Sequence, residues 1–440
     1  MTGPRERAPE APKEHGPAEP KGHGTAAPRF SWPERFRSHG AAAGPEQSRD
    51  RLIELARETW TVTRLLAAST LDVAEFEAKL ALAEAVHALV EVAASCEERA
   101  DELGAAPKPG QRLGTEEREA RLAAALAAPP RQRLVTLPRK WLTPLIRSFE
   151  DRPFDPLLDG PSERVRRRGL SDLRDAFGWF AEAADADAER LERADGQGEL
   201  TDPGHPGIRR STPAARTARR PTMGRRDERF TTFENTRDYR GAADWRDTGS
   251  PYDNDLLELV RVNRDEIDAL ETFALALFDL AAEADLESLR HLARLTWDEA
   301  RHAAIGQELL GERFGDPYAH ECSMIGIRIR GQMGGWNAWT QITVFGELGI
   351  IGPMRALARE ARRRGDERVA HAFGFITSDE TMHLRESRRL LDRDHPSGGL
   401  GQAADAAREE AGRILEGLGL YDAEHFAQLD ERQIFELLGE

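Results

Sequence analysis

Two pentapeptides, Asp298-Glu299-Ala300-Arg301-His302 and Asp379-Glu380-Thr381-Met382-His383, share the pattern Asp-Glu-x-x-His. Residues three apart on a helix lie on one face, so each Glu and His can bind a common metal ion. Either motif alone says little, because glutamate and histidine are ordinary helix residues. The spacing says more. Glu266 stands 33 residues before Glu299, and Glu347 stands 33 before Glu380. The pairs Glu266/Glu347, Glu299/Glu380 and His302/His383 are therefore all 81 residues apart. Glu347 also interrupts the apolar run Val344-Phe345-Gly346-Glu347-Leu348-Gly349-Ile350-Ile351. A carboxylate buried there without a partner would cost several kcal/mol, and metal ligation removes that cost. Four carboxylates and two imidazoles suit iron or manganese better than zinc, which prefers four ligands and more nitrogen or sulfur.

Such a site needs four long helices, and the pattern supplies them. Alanine, leucine, glutamate and arginine dominate the chain while β-branched runs are scarce, so an all-α fold is expected. Helical periodicity predicts helices from about Asp253 to Glu283, from Leu286 to Leu310 with Asp285 as N-cap, through Trp336 to Arg363, and from Glu367 to about Leu391. Residues 251–395 thus read as a four-helix domain of two hairpins. Residues 1–45 are rich in proline, glycine and charge and read as disordered. Residues 46–195 read as a second helical domain. An Arg-rich linker at 196–250 and a helical tail at 396–440, with a helix near 402–417, complete the chain. Eight arginines fall between 205 and 229; a solvated linker is the expected reading, with contact to an acidic partner or to the protein's own acidic surface as the alternative.

The arrangement of one Glu from each of two helices and one Glu-x-x-His from each of the other two is that of ferritin-like dimetal carboxylate proteins. Residues 260–390, about a third of the chain, resemble that superfamily. In particular they resemble bacterial ferritin-like proteins of unassigned function that share the start Glu-x-x-Ala-x-Glu, here Glu266-Ile267-Asp268-Ala269-Leu270-Glu271. The resemblance implies two iron ions, or manganese, bridged by Glu299 and Glu380, with Glu266 and Glu347 terminal and His302 and His383 each capping one ion. It makes Glu299 and Glu380 the catalytic carboxylates. Asp298 and Asp379 would orient the histidines. Glu271 competes with Glu266 as the first-helix ligand. The two lie five positions apart and so about 140° around a helix, and only Glu266 keeps the 81-residue symmetry.

The 46–195 domain contains a lone Glu84-Ala85-Val86-His87, and residues 130–195 contain no histidine to complete a second site. This domain is expected to be a metal-free, degenerate bundle of the same kind that packs on the other. Trp297, Trp336, Trp339, Phe373 and Phe375 sit on the ligand-bearing helices and read as core. Gly346, Gly349, Gly352 and Pro353 near Glu347 suggest close packing, a kink, or space beside the metals. Arg301 is expected either to hold one of the orienting carboxylates or to face solvent.

By what the resemblance implies, the chain is a non-haem diiron oxidase or oxygenase that takes dioxygen as co-substrate and oxidises a small organic substrate. No Gly-rich nucleotide fingerprint or iron–sulfur cysteine set is evident, so electrons would come from an external donor or reductase. The alternative is a non-catalytic ferritin-like protein that binds or handles iron. Lysine and arginine number 62 against 78 acidic residues, a net charge of −16 that argues against nucleic acid as partner. The only cysteines are Cys96 and Cys322, and no stretch is long and apolar enough for a membrane span. A cytoplasmic protein is expected, and a homodimer is compatible with everything above.

Overall fold

The computed structural model describes residues 43–105, 107–195 (184–195 as backbone only), 218–233, 248–346 and 349–418. The fold is all-α apart from a two-residue parallel pairing of Thr232–Phe233 with Cys322–Ser323. The segment read as N-terminal disorder falls almost wholly outside these residues, as does Glu347.

Helix α1 (Pro45–Asp72) begins with proline in the first turn, where its missing N–H is not needed, and leads into α2 (Phe76–Glu102). The leucines at 52, 55, 65, 66, 82 and 89 are fully buried between them. Shorter helices follow: α3 (Glu116–Leu126), α4 (Pro130–Leu137), a π turn at Pro138–Leu142, α5 (Thr143–Glu150) and α6 (Gly160–Asp195).

The second half opens with α7 (Pro251–Asp265) and α8 (Ile267–Leu280), one expected helix interrupted by a turn at Glu266, whose ψ of −3° departs from the usual helical value while staying right-handed. Next comes α9 (Leu286–Phe314), capped by Asp285, whose side chain accepts from the Ser288 amide at 2.8 Å. After α10 (Ile325–Arg330) the third expected helix also divides, into α11 (Gly335–Gln341), a π turn at Ile342–Gly346 and α12 (Ile351–Arg364). Gly365, at φ 76°, reverses the chain into α13 (Glu367–Asp394), and α14 (Leu400–Gly417) follows.

Helices α7 and α8 pack on α9, and α12 packs on α13. Helix α1 packs on α8 and α2 on α9, so one apolar core runs from Leu52, Trp60 and Leu89 through Phe273, Leu277, Leu289 and Leu292 to Trp339 and Leu390. No helix among the described residues is long and apolar enough to cross a membrane.

Part of the Arg-rich segment is a docked strap, not a solvated linker. Arg220 holds the Asp279 carboxylate at 2.9–3.0 Å and donates to the carbonyls of Gly331 and Met333 at 2.7 Å. The Arg225 amide donates to Leu71 O, and Arg226, buried, donates to Glu271 at 2.7 Å. Arg229 pairs with Asp227 and Glu77 and lies over the Tyr318 ring. Apart from Asp227, the carboxylates these arginines meet (Asp279, Glu271 and Glu77) are distant in sequence, which a local charge count does not register.

Candidate metal centre

Glu299 and His302, one turn apart on α9, face Glu380 and His383, one turn apart on α13, with Glu266 entering from the break between α7 and α8. Potential ligand atoms of Glu266, Glu299, His302 and Glu380 all lie within 4.8 Å of one another. The His302 Nδ1 is 3.0 Å from Glu380 Oε1, 3.2 Å from Glu266 Oε2 and 3.3 Å from Glu299 Oε2. The His383 Nδ1 is 3.1 Å from Glu299 Oε1 and 3.5 Å from Glu380 Oε2. Both imidazoles are fully buried, and Glu266 is the most exposed of the five side chains at 13 %.

Proximity here is not hydrogen bonding. Glu266 Oε2, both oxygens of Glu380 and the Nδ1 atoms of both histidines are buried and make no hydrogen bond. Five such atoms pointing into one space is unusual, since buried polar groups are normally satisfied. Metal cations bound here would give these atoms partners, and Glu266, Glu299, His302 and Glu380 lie close enough together to hold one.

The backs of the ligands are held. His383 Nε2 meets Asp298 Oδ2 at 3.2 Å, and His302 Nε2 meets Asp379 Oδ2 at 3.4 Å. The pairing is crossed: each aspartate orients the histidine of the opposite helix. Arg294 donates to Asp298 at 2.5 Å, while Arg301 Nη1 reaches Asp298 at 2.5 Å and Asp379 at 3.3 Å. Arg301 thus spans both aspartates instead of forking onto one. With Nε2 so engaged, each ring presents Nδ1 to the centre, as a metal-ligating histidine does. Asn263 holds the other Glu266 oxygen at 2.9 Å. Gly306, one turn beyond His302, lies against the backbone of Val260 and Arg264 and lets α7 and α9 approach closely.

The charge balance points the same way. Burial pushes the Glu266 carboxyl up to about 8, against the pull of His302. Burial would also raise Glu380, but the His383 imidazolium overrides it and holds that carboxyl at about 2. Burial disfavours a charged His302, yet Glu266 and the neighbouring carboxylates lift it well above the usual histidine range. His383 behaves likewise beside Glu380. Among protein groups alone, the carboxylates recruit protons onto the imidazoles. The centre demands positive charge.

Of the six residues expected at the centre, Glu266, Glu299, His302, Glu380 and His383 come together, and Glu347 lies outside the described residues. The π turn at Ile342–Gly346 directly precedes it. Glu271 is elsewhere: it is buried between Lys79 Nζ at 2.6 Å and Arg226 at 2.7 Å. Among the described residues Glu84 is exposed, while His87 stacks on Trp297 with ring centroids 4.9 Å apart, so the lone Glu-x-x-His of α2 does not converge on an ion. Trp339 and Phe373 are core as expected, but Phe375 is 67 % exposed. A polar layer beside the centre escaped the motif analysis. His291 Nε2 meets Ser387 Oγ at 2.8 Å, and that hydroxyl accepts from Trp339 Nε1 at 3.2 Å. The i, i+4 step from His383 to Ser387 was the available signal. Compared with family models, curated proteins and solved structures, the chain matches none.

Proposed function

We propose that the chain is a ferritin-like dimetal protein, with iron as the metal, that uses dioxygen to oxidise a small organic substrate. The observation that carries this reading is the convergence of five buried, unbonded ligand atoms from Glu266, His302, Glu380 and His383, with Glu299 among them. These residues, with Glu347 expected as the sixth, would hold the ions. When bound, a pair of iron ions supplies the redox steps that reduce dioxygen. The chain's own part is positioning. Asp298 and Asp379 fix both imidazole tautomers, and Asn263 anchors one oxygen of Glu266 while the other stays available. Glu266, at a helix break and partly exposed, is the carboxylate with most freedom to change its binding mode.

The test is an anaerobic titration of the metal-free full chain with Fe(II), then admission of air while the visible spectrum is followed. Two irons per chain and a transient absorption that decays faster with particular organic compounds are expected. Two irons that oxidise with no effect of any compound would favour iron handling. Failure to bind two irons would end the dimetal reading.

A further inference from the structure

The outer seam of α12 and α13 differs from the rest of this acidic chain. Arg355, Arg359 and Arg362 recur at i, i+4 and i+7 on α12 and are exposed, with Arg363 beside them. Arg363 pairs with Glu360. Arg355 donates to the Thr381 hydroxyl at 2.9 Å, and among the described residues no carboxylate pairs with Arg355, Arg359 or Arg362. A groove is lined by Ala356, Arg359, Arg362 and Arg363. On the neighbouring helix α13, which Arg355 meets at Thr381, the exposed positions Gly374, Ser378 and Thr381 are small and uncharged. Phe375, 67 % exposed, stands on the solvent side of the same helix. Arginine and exposed aromatic residues are the types enriched where proteins dock. On a chain of net charge −16, a row of exposed arginines, three of them without a carboxylate partner among the described residues, attracts a partner of opposite sign.

We propose that this face docks an acidic one-electron donor protein. The choice of a donor rests on the dimetal reading, which needs external electrons. It also rests on position: Thr381, held by Arg355, directly follows Glu380, so a partner on the seam is separated from the candidate centre by little more than one helix, roughly 10 Å. Two copies facing each other across this seam would oppose arginine with arginine, which disfavours a symmetric dimer.

The probe is an acidic [2Fe–2S] ferredoxin, and its binding to the metal-free full chain is measured at low and at high salt. Binding at low salt, weakened at least about tenfold by high salt and again by the Arg359→Glu, Arg362→Glu double variant, is expected. Phe375→Ala should weaken it without changing the salt dependence. In the iron-loaded chain the double variant should slow reduction by ferredoxin and leave reduction by dithionite unchanged. Absence of binding to the parent chain at low salt would overturn the proposal. So would equal binding by the double variant, or parent self-association that the double variant abolishes. Since binding is read without metal, a chain that takes up no iron would sink the dimetal reading while the docking face is judged separately.

Discussion

At the scale of single residues, the two glutamates of the Glu-x-x-Ala-x-Glu stretch have opposite jobs, and the difference is measurable. Glu266 faces the imidazoles, whereas Glu271 neutralises two buried cations. Glu266→Gln should therefore lower the metal content below two per chain while leaving the metal-free fold about as stable. Glu271→Gln should leave Lys79 and Arg226 buried against a neutral amide and cost roughly 3–5 kcal/mol, the usual range for a broken buried pair. Metal analysis together with denaturant unfolding distinguishes them; full metal content in the Glu266 variant would remove it from the ligand set. The 81-residue symmetry pointed to Glu266, but nothing local in the sequence showed that Glu271 had partners at Lys79 and Arg226. A second residue prediction concerns His291, which burial pushes down to about 3 and so keeps neutral beside Ser387. Unfolded, a histidine titrates near ~6.5. Between those values the unfolded chain binds a proton that the folded chain refuses, so stability falls as pH drops from about 6.5 towards about 3. His291→Gln should flatten that part of the stability–pH curve, and an unchanged slope in the variant would contradict the assignment.

At the scale of elements, four ligands stand on the unbroken helices α9 and α13, while Glu266 stands where a helix that periodicity alone continues is interrupted. The sequence pattern runs smoothly from Asp253 to Glu283, yet a turn interrupts the helix at Glu266, the residue that enters the centre. Similarly, the expected third helix contains a π turn at Ile342–Gly346. Such single-turn irregularities depend on tertiary demand more than on local propensity, and they gather at functional sites. The helix ends that did show in the sequence are those with a local physical cause, such as the Asp285 cap and the Gly365 reversal. Gly306 offers a test of element packing. A Cβ there would meet the backbone of Val260 and Arg264, which cannot rotate away as a side chain can. Gly306→Ala should force α7 and α9 apart and cost on the order of 1–3 kcal/mol, read by thermal unfolding, with weaker metal binding because Glu266 ends α7. A variant as stable as the parent would mean that the two helices are less closely held than the geometry indicates.

At the scale of the molecule, the expected packing of the N-terminal helices on the ligand-bearing half takes the form of a shared core. Leu52, Trp60, Leu65 and Leu89 belong to the same core as Phe273, Leu277, Leu289 and Leu292. Polar ties cross the same boundary. Arg112 is held by Glu97 at 3.0 Å and donates to the carbonyls of Ala281 and Ala284, at the end of α8. Lys79 reaches Glu271 on that helix, and the strap adds Arg220 to Asp279 and Arg226 to Glu271. Periodicity could show which face of each helix is apolar, but not that α1 and α2 would spend part of theirs on α8 and α9. A segment cut to 248–418 would expose Phe273, Leu277, Leu289 and Leu292 to water and leave Glu271 buried without its cations. At about 1.5–3 kcal/mol for each large apolar side chain uncovered, four such residues would remove most or all of a typical margin of stability. The isolated segment should therefore be aggregated or unfolded, and the full chain should unfold as one unit, with tryptophan fluorescence and far-ultraviolet circular dichroism tracing one coincident transition. Of the eight tryptophans, variants that keep only Trp60 or only Trp339, with the others replaced by phenylalanine, would show whether each half melts at the same midpoint. Two separated midpoints, or a soluble and cooperative 248–418 fragment, would establish instead that the ligand-bearing half folds independently and that the shared core adds little to it.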